Sequence, residues 1–384
     1  MKLPGAFKKI PRELGRIGYQ IDDMLYAKLG VTTAHLYSRY FIEPRIRHVP
    51  GALVRGSKIA IYLIFPTRGL LKSHFIALQY ILRSGYAPIV VSNLPLSADT
   101  IARLLPHCAT LILRPNFGYD FGGYKDAVRF LSNDLNSLDH LAIFNDSNWF
   151  PANPDRNWLA EAEAINCDFV GSVSHGGLDL ATALQGDKIV WSIDTTKPRF
   201  HYGSFSLLFG ATILHSLAFR KFWQDYRPAN SKTHTIRRGE IGLSQWVITH
   251  GFTHAETLDP RNLPSLLNNL PTERLLQIAT NAFTFDRPRP NDTRRDILLV
   301  DTPDHGALVR FVLKEVLKSG QAYALQDFDV HERSGNFIKK SPVSLNRMGT
   351  DQTLRILGRL KGSEAETFRA EAADIARQKH GPQD

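Results

Sequence analysis

KIAIYLIFPTRGLLKSHFIALQYILRSGYAPIVVSNLPLSADTIARLLPHCATLILRPN, residues 58–116, alternates two kinds of pattern. Three short apolar runs, KIAIYLIF (58–65), APIVVSN (87–93) and ATLILRPN (109–116), lack the alternation of a half-solvated strand and read as strands buried on both faces. Between them, LLKSHFIALQYILRSG (70–85) carries apolar residues at helical spacing and stops at Gly85. SADTIARLL (97–105) opens on a serine able to cap a helix. Strand, helix, strand, helix, strand predicts an open parallel sheet with helices on both faces. Such sheets bind ligands beyond the carboxyl ends of their strands, here the segments after Phe65, Asn93, Asn116 and Asn145.

Working outward, a helix is expected from about Phe121 to Leu131, with strands at HLAIFN (140–145), CDFVGSVS (167–174), KIVWSID (188–194) and YGSFSLLFG (202–210). FSLLFGATILHSLAF (205–219) is too short and interrupted to span a bilayer and reads as a strand followed by a helix. GEIGLSQWVITHG (239–251) reads as a helix opening at Glu240. Past about 259, Pro, Asn and Arg accumulate, the composition of a boundary. A strand-like run, DILLVD (296–301), a helix to about Lys318 and a polar helical tail from about 350 follow. Three parts are expected: a basic N-terminal arm (1–56), a sheet domain (57–258) and a mostly helical C-terminal extension (259–384).

The bulk composition narrows the class. Of 384 residues, 43% are hydrophobic and 22% charged, which excludes a disordered chain. Two cysteines without CxxC spacing exclude a disulfide-dense secreted domain and a structural zinc site, and suit a reducing cytoplasm. The basic N-terminus is followed by no apolar run of signal-peptide length. A net charge of +10 favours a polyanionic partner, be it nucleic acid, an anionic membrane face or a phosphate-bearing substrate. Charge apart, no nucleic-acid recognition motif is present.

Three clusters could carry chemistry. In RPNFGYDFGGYKD (114–126), Gly118, Gly122 and Gly123 allow a sharp turn and close approach to a ligand. Arg114, Asn116, Asp120 and Lys125 lie around that turn, and a helix opening near Phe121 would aim its amides there, a seat for phosphate. The plainer reading is a structural turn with buried polar groups. AIFNDSNWFP (142–151) delivers Asn145, Asp146 and Ser147 at the end of a strand; a carboxylate beside amide and hydroxyl oxygens suits Mg²⁺, although Asn-Asp-Ser is also ordinary turn chemistry. Glu240, heading a helix, is a candidate general base or simply a helix N-terminal charge. His201, His215 and His234 read as packing or surface histidines, and the five tryptophans as core.

In chain order, IAIYLIF, VVSNLPL, RPNFGYDFGGYKDAV, FNDSNWFP, HYGSFSLLFG, FRKFWQDYRP and EIGLSQWVITHGF resemble the rhamnan synthesis protein F family over residues 58–258. The resemblance implies a GT-A-like α/β nucleotide-binding sandwich that transfers a sugar from a nucleotide-sugar donor. It places Asn145-Asp146-Ser147 where such folds carry a metal-holding Asp-x-Asp, so Asp146 with Ser147 would bind Mg²⁺ or Mn²⁺. It also implies that Ser92 and Asn93 contact the nucleotide, that Asn116 and Gly118 precede the metal motif, and that Lys125 or the helix N-terminus near Phe121 supports the diphosphate. Glu240 falls at the position of an inverting base. The donor implied is dTDP-L-rhamnose or another activated hexose. The implied acceptor is a lipid-linked oligosaccharide at the inner membrane face, against which the basic arm would lie. The alternative is a non-catalytic scaffold or glycan-binding subunit, favoured by the single carboxylate in the Asn-Asp-Ser turn.

Overall fold

The computed structural model describes residues 31–178, 183–185, 188–283, 285, 297–298, 303–332 and 335–381. Its strands are β1 (Arg47–Pro50), β2 (Lys58–Ile64), β3 (Ala87–Ser92), β4 (Thr110–Leu113), β5 (His140–Asn145), β6 (Asn148–Trp149) and β7 (Phe169–Gly171). Then come β8 (Ser174–His175), β9 (Leu184–Gln185), β10 (Lys188–Ile189), β11 (His201–Tyr202), β12 (Ser206–Gly210), β13 (His254–Glu256) and β14 (Ile338–Lys339). Eight of them form one sheet in the order β1-β4-β3-β2-β5-β12-β7-β13. The block β4-β3-β2-β5 is parallel, with Ile61 opposite Ile89 on one side and Ile143 on the other. Strand β12 runs antiparallel between β5 and β7, and β1 closes the β4 edge antiparallel. The α/β class with a mostly parallel central sheet is the one expected.

The continuous apolar runs have a direct cause in the layering. On β2, Ala60, Tyr62 and Ile64 face a core that includes Leu78 and Ile81 of helix Lys72–Arg83 and Leu159 of helix Trp158–Ala164. Ile59, Ile61 and Leu63 face the other core, with Tyr124 of helix Tyr119–Phe130, Trp223 of helix Leu217–Asp225 and Val247 of helix Gly242–Thr249. Both faces are dry, so no polar residue needs to alternate.

Several expectations change. Residues 188–194 contribute only β10, hairpinned to β9 outside the main sheet, and 167–174 split into β7 and β8. The arm supplies β1, paired with β4 from Arg47 to Pro50, while residues 1–30 lie outside those described. The expected strand 296–301 also lies outside them, apart from residues 297–298, which are helical. The core runs straight across residue 258: Leu263, Leu275, Val312, Phe328 and Phe337 share one cluster with Tyr62 and Phe144. Helix Ser363–His380 packs Phe368 and Ala372 into a cluster built on Trp149. Among the described residues no helix is long and apolar enough to cross a membrane.

Candidate active site

A cleft of about 780 Å³ opens over the carboxyl ends of β2, β3 and β5, where an open parallel sheet is expected to bind its ligand. Asn93, Asn116, Asp120, Asn145, Asp146, Ser147 and Glu240 line it. Ser92, Arg114, Gly118 and Lys125 do not.

Those four hold the fold together around the cleft. The buried Arg114 guanidinium donates to Asp126 Oδ2 at 2.7 Å, to Asn93 Oδ1 at 2.6 Å and to the Phe117 carbonyl at 2.7 Å. Asn93 in turn donates to the Tyr119 carbonyl at 3.1 Å, which locks the loop that leads into helix Tyr119–Phe130. Ser92 donates to the Leu94 carbonyl. Gly118 has φ +78°, and a Cβ there would meet Pro228 Cβ at 2.6 Å, so its glycine serves the turn and the packing and not a ligand. The helix begins at Tyr119, two residues before the expected Phe121. Asp120 therefore sits in its first turn and accepts the Phe121 amide, taking the place expected for phosphate. Lys125 lies five residues on, about 140° around the helix at 100° per residue. It is buried, with Glu43 and Asp126 as its opposite charges, and burial lowers its pKa.

The Asn-Asp-Ser turn is held by its own side chains. Asn145 Oδ1 accepts from the Ser147 amide and from Ser147 Oγ, and its Nδ2 donates to Tyr124 Oη at 2.9 Å. Asp146 Oδ2 accepts the Phe65 amide at 2.7 Å and lies 3.3 Å from His74 Nε2. The Leu71 amide donates to His74 Nδ1, which leaves the proton on Nε2 to donate to Asp146. Burial would raise the Asp146 pKa, but the His74 contact, the Lys340 charge and the Phe65 amide outweigh it and hold it below the usual carboxylate value.

This donor set does not suit the divalent cation expected at Asp146 and Ser147. Oδ2 is committed to two N–H donors, Ser147 Oγ donates to Asn145 and accepts from Asn148, and the neighbouring charge is an ammonium, which leaves Asp146 Oδ1 as the one carboxylate oxygen of this turn open to a cation among the described residues. Among the described residues no group of three or more His, Cys, Asp or Glu is placed to hold a metal ion.

Across the cleft, Glu240 does not open a helix. It lies inside a π-helical turn, Ile236–Ile241, continuous with helices Lys232–Thr235 and Gly242–Thr249. The widened turn lets Gly239 rest on the Phe121 ring, where a Cβ would stand 2.6 Å from the nearest ring atoms. Ser204 Oγ donates to Glu240 Oε1 at 2.5 Å and also lies 3.3 Å from Asp120 Oδ2, so one hydroxyl bridges two carboxylates. Burial and the Glu240 charge push the Asp120 pKa up to about 6. His201, expected to be a packing or surface histidine, lines the cleft with Nε2 3.9 Å from Glu240 Oε2.

Two residues missed from sequence complete the site. β14 pairs antiparallel with β6, directly after the Asn-Asp-Ser turn, and the Lys340 amide donates to the Ser147 carbonyl. Lys339 thereby enters the main cleft, its Nζ 3.9 Å from the centre of the Phe205 ring. Burial lowers its pKa to about 8 against the opposing charges of Glu240 and Asp120. Lys340 enters a second cleft of about 400 Å³ that shares Phe65, Asp146 and Ser147 with the first. The signal was the KK pair in FIKKSP (337–342), which is silent until β14 is known to pair with β6.

Residues 88–276 match the family model described as Rhamnan synthesis protein F, in line with the resemblance read from the motifs. The uncharacterized protein y4gN of Sinorhizobium fredii is 25% identical over 324 residues, 79% of this chain and 78% of the relative. Among solved structures, the mannosyltransferase PcManGT from Pyrobaculum calidifontis, in complex with GDP-Man and Mn²⁺, aligns at 12% identity over 94% of this chain and 90% of its own, TM-score 0.31. The mannosyltransferase Ktr4p from S. cerevisiae aligns at 12% identity over 51% of this chain, TM-score 0.26, and the alignment spans 65% of the yeast chain, under two thirds of its length.

Proposed function

We propose that this chain is an inverting glycosyltransferase that moves a hexose from a nucleoside-diphosphate donor onto a glycan acceptor in bacterial surface-polysaccharide synthesis. One observation carries the reading: the Asn-Asp-Ser turn at the end of β5 and the Glu240–Ser204–Asp120 group face one cleft at the carboxyl ends of the parallel strands. The rhamnan synthesis match over 88–276 supports L-rhamnose as the sugar, with dTDP-L-rhamnose as the donor. A lipid-linked oligosaccharide at the inner membrane face suits the net charge of +10 and would place the protein as a cytoplasmic, peripheral enzyme.

In this mechanism Glu240 takes the proton of an acceptor hydroxyl, oriented by its bond from Ser204. The hydroxyl oxygen attacks the anomeric carbon from the face opposite the leaving group. As the new C–O bond forms, the bond to the diphosphate breaks and its electron pair leaves with the phosphate oxygen. A β-linked donor then gives an α-linked product. Lys339 sits across the cleft with Glu240 and Asp120 as its opposing charges, which keeps this acid pair from accumulating unbalanced charge. The expected Mg²⁺ or Mn²⁺ has no step here, because a single free carboxylate oxygen beside the Lys340 ammonium is a poor seat for it.

The test is a panel of nucleotide sugars, read first by thermal stabilisation and then by transfer to a glycan acceptor. One donor should raise the melting temperature, since ligand at a hundred times its dissociation constant adds about 2.7 kcal/mol. Glu240→Gln should keep that stabilisation while transfer falls by about 10²–10⁴-fold, the range of a lost general base. A folded protein that no donor stabilises, with Glu240→Gln behaving as the parent, would point to the scaffold reading.

A further inference from the structure

The smaller cleft is of the opposite character to the larger one. Arg68, Lys340 and Lys379 line it together with His74, and Asp146 is its one lining carboxylate among the described residues. Asp146 is already answered by His74 and the Phe65 amide. Lys340 Nζ reaches Ser73 Oγ only at 3.5 Å and lies 5.6 Å from the Trp149 ring centre, and it forms no ion pair with a described residue. Its next carboxylate neighbour, Glu371, is occupied by the Ser73 amide and Trp149 Nε1. Among the described residues the lining thus presents three cations against one carboxylate whose Oδ2 is already engaged, at the point where the two clefts meet. Ser341 and Ser344 add hydroxyls on the same wall.

A polyanion of several oxygens, close enough to Asp146 for its attached group to cross into the main cleft, would answer that charge. We propose that the smaller cleft is a diphosphate site in which Lys340, with Arg68 and Lys379 at its rim, neutralises the departing nucleoside diphosphate, so that donor binding and transfer require no divalent cation. This rests on the glycosyltransferase reading and adds the leaving-group half of its site. The donor's sugar then passes the Asp146 turn toward Glu240, and the C-terminal segment that bears Lys339 and Lys340 serves both halves. Lysine placed as a point charge suits such a role, as does an arginine at the rim.

The experiment uses the full chain, stripped with EDTA and titrated calorimetrically with UDP, GDP and dTDP. At least one should bind in EDTA. Lys340→Gln should weaken it by about tenfold or more, the loss expected when a charge-assisted contact to phosphate goes. Lys340→Arg should keep most of the affinity, and Arg68→Ala, at an exposed position that cannot unfold the core, should cost less than Lys340→Gln. Transfer rates should be equal in EDTA and in Mn²⁺. Nucleotide binding that appears only with Mn²⁺ or Mg²⁺, or that is unchanged in both Lys340→Gln and Arg68→Ala, overturns the proposal while leaving the transferase reading intact. A short prenyl diphosphate that binds through Lys340 while no nucleoside diphosphate does overturns the donor assignment, since the diphosphate then belongs to the acceptor. Lys340-dependent binding of inorganic pyrophosphate, by a protein that takes no nucleotide sugar, supports the anion site and sinks the transferase reading instead.

Discussion

Ser204 Oγ is shared between two carboxylates, while burial and the Glu240 charge set the electrostatics of the acid side of the cleft. Asp120, whose folded pKa is raised to about 6 from 3.8, is disfavoured when ionised, so at pH 7 it costs stability. As pH falls through 6 the native state takes the proton first and the cost is relieved; below about 4 the unfolded chain is protonated as well. Asp120→Asn should therefore be more stable than the parent at pH 7, by on the order of 2 kcal/mol. The gap should close between pH 7 and 4, as read by urea midpoints across that range. A gap that is flat with pH would show that Asp120 does not titrate against Glu240. At this scale the sequence was partly legible. Asp120 and Asp146 stand out because carboxylates at strand and helix ends are visible in a pattern, and Glu240 because the pattern reads as a helix start there. His74 is not, because its contact with Asp146 depends on the Leu71 amide fixing its tautomer.

A helix that widens by one residue decides where Glu240 points. The π turn Ile236–Ile241 presses Gly239 onto Phe121, and the same turn carries Glu240 beside Ser204. Gly239→Ala would place a methyl 2.6–2.9 Å from the Phe121 ring, a buried ring that Tyr124, Trp223 and Tyr226 surround. The expected cost is about 1–3 kcal/mol of stability, the range for overpacking a dense core. Activity should fall further than stability accounts for, because Glu240 must shift with the turn. Melting temperature and transfer rate measured on the same preparation check this; full activity in a destabilised variant would detach the turn from the chemistry. Helical periodicity predicted a helix here but had no means of showing the inserted residue, which shifts every later side chain by 100°.

Glu371 ties the last helix to the sheet. Its Oε1 accepts the Ser73 amide and its Oε2 accepts Trp149 Nε1, both at 2.9 Å, linking helix Ser363–His380 to helix Lys72–Arg83 and to β6. Glu371→Ala would leave two buried donors unmet, at about 1–3 kcal/mol each. Unfolding should stay a single transition shifted to lower urea, since residues beyond 258 share the core of the sheet. Two separated transitions would instead make the C-terminal part a domain of its own.

From the sequence alone came the parallel β4-β3-β2-β5 block, the strand ends over which the cleft opens and the three acidic residues Asp120, Asp146 and Glu240 in it, because strands buried on both faces and their capping signals are local and leave a pattern in the chain. What Arg114, Gly118 and Lys125 would face was left to the tertiary structure, since the loop after β4 and a rotation of about 140° along helix Tyr119–Phe130 turn them from the cleft into the scaffold. Lys339 and Lys340 lie almost 200 residues from the Asn-Asp-Ser turn they flank. Only the pairing of β14 with β6, a non-local contact held by the packing of the C-terminal helices, brings those charges into the cleft.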